Sequence, residues 1–125
     1  MAAEAARYEN FRTVLHTGEY TQVVAMTLAA GEDIGAEVHE VNDQVLVFTE
    51  GEARAEVGGE TRTVTAGDMV VVPAGTQHNF TNTGAGVLRL LTIYGPPDHA
   101  ADTVHPTKAD AEAAEAAGTD QPPSP

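Results

Sequence analysis

From Phe11 to Tyr94 the chain is cut into short segments by Gly, Pro, Asn and Asp, and the stretches between the cuts are rich in Val, Thr, Leu and Phe. Segments this short cannot form stable helices but suit strands, whose β-branched and aromatic residues pack well on a pleated surface. The pattern predicts strands at residues 11–16, 20–28, 36–41, 44–49, 53–57, 61–65, 69–72, 78–82 and 87–94. Many short strands with tight connections fold as an all-β sandwich or barrel. Gly58-Gly59 reads as a two-residue hairpin turn, and Gly18-Glu19 and Thr83-Gly84 are expected to close two more hairpins.

The character changes after Tyr94. Gly95-Pro96-Pro97 ends the last strand, and six of the seven prolines lie from Pro96 onward. Thr107 begins a capping-box pattern, the alanine-rich stretch that follows predicts a helix over 108–117, and Gly118 is its stop. With nothing larger than alanine to bury, this helix should lie on the surface. The expected organisation is a flexible segment over 1–10, a β-barrel over 11–95, and a Pro/Ala-rich appendage over 96–125 that ends in a frayed tail. His99 and His105 fall in the appendage and read as exposed loop histidines, with a lid over a pocket as the alternative role. His16 is read as exposed in the same way.

Composition narrows the function classes. There is no cysteine among the 125 residues, so no disulfide or thiolate site can form and any metal must be held by His and oxygen ligands. A net charge of −13, with one lysine, argues against nucleic-acid binding, whose sequence-independent part depends on cations. Thirteen of the nineteen acids precede residue 96 and six follow it, so the acidity is spread over the surface and does not form a tail. An anionic substrate would need a metal, or Arg54, Arg62 or Arg89, to receive it. The apolar runs are too short to cross a membrane, and the first ten residues lack the features of a secretory signal, so a cytoplasmic protein without membrane association is expected.

The most specific stretch is Gly67 to Asn82, GDMVVVPAGTQHNFTN. Met69 to Val72 is an apolar strand, stopped by Pro73, which cannot donate to a ladder, and by Gly75, which tolerates positive φ. The chain resumes with His78 and Phe80 on one face of a second strand, so a rigid turn delivers an imidazole to a strand start. A lone histidine there is either a core residue satisfied by a backbone carbonyl or a ligand. If it is a ligand, the partner indicated upstream is His39, which lies in a strand-like segment with acidic neighbours.

The spacing from Gly67 through Pro73, Gly75 and His78 to Asn82 resembles, position for position, the second signature of the cupin family. The segment GAEVHEVNDQVLVFTEG, from Gly35 to Gly51, is similar to the first, which usually carries His-x-His, then Glu, then Gly. Aligned on Gly51, it puts Glu37 at the first His position, His39 at the second, and Gln44 where the Glu is expected. The resemblance covers roughly residues 21–94 and looks like a small single-domain bacterial cupin of the conserved-barrel (cupin 2) type. It implies a double-stranded β-helix, or jelly-roll, barrel with a pocket between facing strands.

The altered signature is consistent with coordination chemistry. Glu37 and His39 are two apart and share a face of an extended chain. Gln44 has odd spacing from His39, but the turn pair Asn42-Asp43 can reset the alternation so that Gln44, Leu46 and Phe48 face inward. Two imidazoles, one carboxylate and one amide oxygen suit a single divalent transition metal: Fe, Mn, Zn, Ni or Co. A metal-free polar cavity formed by the same residues is the alternative. Met26, Leu46, Phe48 and Phe80 are expected to form the apolar pocket wall, with Tyr20, Arg89 and Tyr94 as polar contacts.

Members of the resembled family include oxygenases, isomerases, lyases and proteins without known activity. The expected function is a small metal-dependent enzyme of one of these types acting on a small oxygenated molecule. The alternative is a non-catalytic small-molecule binding or sensing module, with or without metal. Val45, Val47 and Met69 to Val72 leave strands apolar on both faces, so a homodimer is expected, with the strand at 11–16 crossing between subunits.

Overall fold

The computed structural model of the chain describes residues 8–122. Among these residues, nine strands and one helix are formed: β1 (Arg12–Thr17), β2 (Gln22–Leu28), β3 (Asp43–Glu50), β4 (Glu52–Val57), β5 (Glu60–Thr65), β6 (Met69–Val72), β7 (His78–Asn82), β8 (Leu88–Gly95), β9 (Val104–His105) and α1 (Lys108–Ala117). Two antiparallel sheets face each other. One runs in the order β6-β3-β8-β2-β1-β9 and the other in the order β5-β4-β7. This is the all-β fold expected from the short segments, in the jelly-roll arrangement that the resemblance implies, with the expected helix near its C-terminal end.

Alternation decides what each sheet contributes to the interior. On β3, Gln44, Leu46 and Phe48 are buried while Val45 and Val47 are half-buried. Register aligns these inward residues in rows across the large sheet. Gln44 lies beside Tyr94 and Tyr94 beside Gln22; Phe48 lies beside Leu90, Leu90 beside Met26, and Met26 beside Arg12. The barrel interior is therefore polar at the row of Gln44, Tyr94 and Gln22 and largely apolar at the row of Phe48, Leu90 and Met26, which ends at the buried Arg12. Phe80 of β7 packs on Phe48 from the facing sheet, with ring centroids 5.7 Å apart. Burying these aromatic and aliphatic side chains is the main source of stability, roughly 1.5–3 kcal/mol for each fully buried large one.

The turns follow backbone chemistry. Gly58 and Gly59 both have positive φ, as a tight hairpin between β4 and β5 requires. At Gly51, between β3 and β4, φ is +93° and a side chain would come within 2.5 Å of the Val87 carbonyl oxygen, so only glycine fits. Gly18 and Thr21 close the β1–β2 connection through a 2.7 Å backbone hydrogen bond.

Several expectations are corrected. Residues 36–41 do not form a ladder strand; they make a single bridge, from Glu37 to His78, and bend at Glu40 and Val41. Thr83-Gly84 does not close a hairpin, because β7 and β8 belong to different sheets. The Asn82 side chain shapes that crossover, donating to the Leu28 and Gly86 carbonyls and accepting from Gly84 N–H. Strand β1, expected to cross between subunits, pairs within the chain with β2 on one side and β9 on the other, so both its edges are used there.

The C-terminal segment is woven into the barrel. Short strand β9 extends the large sheet, a pairing with no signal in its two-residue sequence. Helix α1 starts at the Thr107–Asp110 capping box and stops at Gly118 in the left-handed conformation, as read from the sequence. Only its Ala111 is buried, so it lies on the surface. The expected flexible N-terminal segment falls, for residues 1–7, outside the described residues, as does the end of the expected frayed tail. Among the described residues no helix is long and apolar enough to cross a membrane.

Candidate metal centre

Glu37 and His78 are directly opposed. The Glu37 N–H donates to the His78 carbonyl at 3.0 Å and the His78 N–H to the Glu37 carbonyl at 2.9 Å. Residues opposed in an antiparallel bridge project to the same face. His39 lies two residues on along an extended segment whose carbonyl accepts from Gly75 N–H at 2.8 Å, so it joins that face. The turn Pro73-Ala-Gly75 therefore fixes both sides of the cluster. The Glu37, His39 and His78 ligand atoms lie within 4.8 Å of one another, a group able to hold a metal ion. The imidazole centroids are 5.2 Å apart, and Glu37 Oε2 lies 3.6 Å from His39 Nε2.

The tautomers are set from behind. His78 Nδ1 lies 2.9 Å from the Thr76 carbonyl, so it carries the proton and donates, leaving Nε2 with its lone pair. His39 Nδ1 faces Oδ1 of Asp98 at 3.4 Å, again leaving Nε2 free. Gln44 donates from its amide nitrogen to the Thr92 hydroxyl at 2.9 Å and to the Tyr94 hydroxyl at 3.3 Å. His39 Nε2, His78 Nε2 and Gln44 Oε1 are buried with no hydrogen-bond partner. Buried polar atoms are nearly always paired, and these belong to three of the four residues that the sequence selects as metal ligands. The residues present thus fit a metal.

Burial pushes the Glu37 carboxyl above its ordinary range, against the opposing pull of His39 and Arg12. Burial lowers the His39 pKa, but the Asp98 and Glu37 carboxylates outweigh it and leave it raised. Burial raises the pKa of Tyr94, which edge-packs on His39 at 5.6 Å between ring centroids, so its hydroxyl stays protonated.

A cavity of about 580 Å³ opens over Glu37 and His39. It is walled by Phe11, Arg12, Ile34, Val38 and Val41 from the barrel side, and by Asp98, His99, α1 and Asp120 from the C-terminal segment. The expected pocket residues divide differently. Met26, Leu46, Phe48 and Phe80 are fully buried in the packed interior and do not line this cavity. Tyr94 lies beneath the cluster. Tyr20 is 75% exposed and Arg89 is on the outer face, where it pairs with Glu9 and Glu50, so neither reaches the cavity. Arg89 follows Leu88 and precedes Leu90, both inward, so strand alternation already turns it out.

His99 and His105 are also corrected, since both are buried. His99 lies 2.7 Å through Nδ1 from Asp120, and its ring edge-packs on Tyr94. His105 Nδ1 lies 3.4 Å from Arg12 Nη1. His16 is exposed as expected. Sequence reasoning missed Asp98, which meets His39 from nearly sixty positions away, and no local spacing encodes that. It also missed Arg12, although alternation with Val14 on β1 was a signal, because it puts a charge on an inward face.

Residues 24–94 match the Cupin domain family, and the chain belongs to that family. It is 48% identical over 111 residues to the uncharacterized protein YrkC of Bacillus subtilis, covering 84% of this chain and 60% of that protein. A second relative, an uncharacterized protein of Acanthamoeba polyphaga mimivirus, is 38% identical over 100 residues, covering 77% of this chain and 62% of that protein. The chain therefore spans about 60% of the length of these relatives. Among solved structures, BH2720 from Bacillus halodurans superposes with a TM-score of 0.88 at 41% identity, covering 90% of this chain and 89% of that one.

Proposed function

We propose that this cupin holds one divalent transition metal through Glu37, His39 and His78, with Gln44 Oε1 as the fourth ligand, and is a metal-dependent enzyme acting on a small oxygenated molecule in the cavity. The observation that carries the reading is the set of buried, unpartnered donor atoms on His39, His78 and Gln44 beside the Glu37 carboxylate. Two imidazoles and a carboxylate suit Fe, Mn, Zn, Ni or Co. Such an ion, when bound, supplies Lewis-acid or redox chemistry to a substrate oxygen.

The protein's own groups have distinct tasks. Thr76 and Asp98 hold the imidazoles with Nε2 toward the centre. Thr92 and Tyr94 turn the Gln44 amide so that its oxygen faces away from their hydroxyls. Beneath them, Leu46, Phe48 and Phe80 keep water from the rear of the site.

Elemental analysis of protein purified without added metal or chelator tests the reading. About one transition-metal ion per chain is expected in the native protein, with loss in His39→Ala and His78→Ala. Failure to retain or take up any such ion would sink it. Iron with oxygen uptake selects oxygenase chemistry, and zinc or nickel without it selects isomerase or lyase chemistry.

We also propose a homodimer. Met69 and Val71 of β6 are 63% and 55% exposed, beside half-buried Val45 and Val47 of β3, which gives the outer face of the large sheet an apolar edge.

A further inference from the structure

Arg12 is the one buried arginine among the described residues, at 7% exposure, and it lines the cavity above Glu37 and His39. Its Nε has no hydrogen-bond partner. Nη1 lies 3.4 Å from His105 Nδ1, a neutral acceptor, and the guanidinium carbon sits 5.4 Å from the Phe11 ring centre. No carboxylate among the described residues lies within ion-pair distance of it; Glu37 and Asp120, which line the same cavity, feel its charge only from farther off, and several other acids nearby are engaged elsewhere. Asp98 faces His39 and His99, Asp120 holds His99, and Glu112 and Asp33 flank Lys108.

A guanidinium cannot shed its charge by deprotonation, so burying one without a counter-ion is costly unless something else supplies the negative charge. Arg12 opens onto the cavity, from which such a charge can come. The guanidinium fork matches a carboxylate geometrically and binds it with charge-assisted hydrogen bonds. A protein of net charge −13 repels anions at long range, so an acid can settle only where a local cation receives it. Among the described residues, Arg54 pairs with Glu56 on the surface, Arg62 is exposed, Arg89 faces outward, and Lys108, which also lines the cavity, is paired with Asp33, which leaves Arg12 as the cation there without a contacting carboxylate.

We propose that Arg12 anchors a carboxylate of the substrate, so that the molecule reaching Glu37, His39 and His78 is a small oxygenated carboxylic acid. The substrate class rests on the metal-centre reading above; the anchor itself does not.

Calorimetric titration of metal-loaded protein with pyruvate, lactate and succinate, each beside its neutral amide, tests the proposal. At least one acid should bind tenfold or more tighter than its amide. Arg12→Gln should abolish that preference, Arg12→Lys should keep part of it, and Arg62→Gln should leave it unchanged. Circular dichroism and metal content of each variant show whether fold and centre survive; if Arg12→Gln does not fold, Arg12→Lys carries the comparison. Absence of any acid-over-amide preference in the wild type, absence of binding included, overturns the proposal, as does a preference that persists in a folded Arg12→Gln. The same titrations on chelator-treated protein separate the two readings. Missing metal with an Arg12-dependent preference sinks the metal centre and leaves the anchor, whereas retained metal with no preference sinks the anchor alone.

Discussion

The Asp98 carboxylate faces Nδ1 of His39 at 3.4 Å, while Nε2 of the same ring turns toward Glu37 and His78. A carboxylate behind a ligating imidazole fixes its orientation and raises its basicity, and losing such a partner typically lowers metal affinity about 10–100-fold. Asp98→Asn should therefore weaken metal binding by that factor and also lower the melting temperature of the metal-free protein, because the same carboxylate faces His99. Competition with a coloured chelator measures the first and a thermal melt the second. Unchanged metal affinity would remove Asp98 from the centre.

Metal uptake should depend on pH. Glu37 and His39 both have raised pKa values, so each holds a proton at higher pH than an unperturbed Glu or His, and that proton competes with the metal. Cobalt titrations from pH 8 down to about 5.5 should show affinity falling already above the ordinary histidine range near 6.5. A flat profile across that window would contradict the ligand set.

Asp120 ties the chain end to the barrel. Burial opposes its charge, but His99 at 2.7 Å and the Ala100 N–H outweigh burial and lower its pKa to about 2 from the ordinary 3.8. A carboxylate whose folded pKa is depressed contributes stability that is complete above the unfolded value and is lost as pH falls through the folded one. Asp120→Asn should cost about 1–2 kcal/mol at neutral pH, and its deficit relative to wild type should shrink between roughly pH 4 and pH 2. Urea unfolding at several pH values reads this directly.

Gly51 allows β3 and β4 to meet the strand of the opposite connection. Gly51→Ala forces a Cβ to within 2.5 Å of the Val87 carbonyl oxygen at a positive φ, so a loss of about 2 kcal/mol or more is expected. Gly59→Ala, also at positive φ but with open space around it, should cost less. Equal melting temperatures for the two variants would show that the close approach carries no penalty.

The exposed apolar edge of β6 should hold the dimer together. Met69→Lys with Val71→Lys places two charges on that face and should shift the species seen by size-exclusion chromatography with light scattering from dimer to monomer. A wild type that runs as a monomer at micromolar concentration would reject the interface.

Legibility in the sequence followed the range of the interactions. The barrel could be read because alternation and turn residues are local: Gly58-Gly59, the inward set Gln44, Leu46 and Phe48, and the Thr107 cap all express themselves within a few positions. Glu37, His39 and His78 converge because two short extended segments, each readable, happen to bridge. The stretch at 36–41 reads as a full strand because its pattern is extended, yet Gly35 and the bend at Glu40 and Val41 limit it to one bridge. His99 and His105 looked exposed because their surroundings are rich in proline and alanine; their burial comes from Tyr94, Asp120 and Arg12, all distant in sequence.

The family match begins at Val24 and ends at Tyr94, whereas Arg12 precedes that span and Asp98 follows it. Two chains could thus share the barrel and its cluster of Glu37, His39 and His78 and still differ in what they admit, since the cation over the cavity and the carboxylate behind His39 are supplied by flanking sequence. Specificity in such a molecule can change by editing its margins, with the matched domain left untouched.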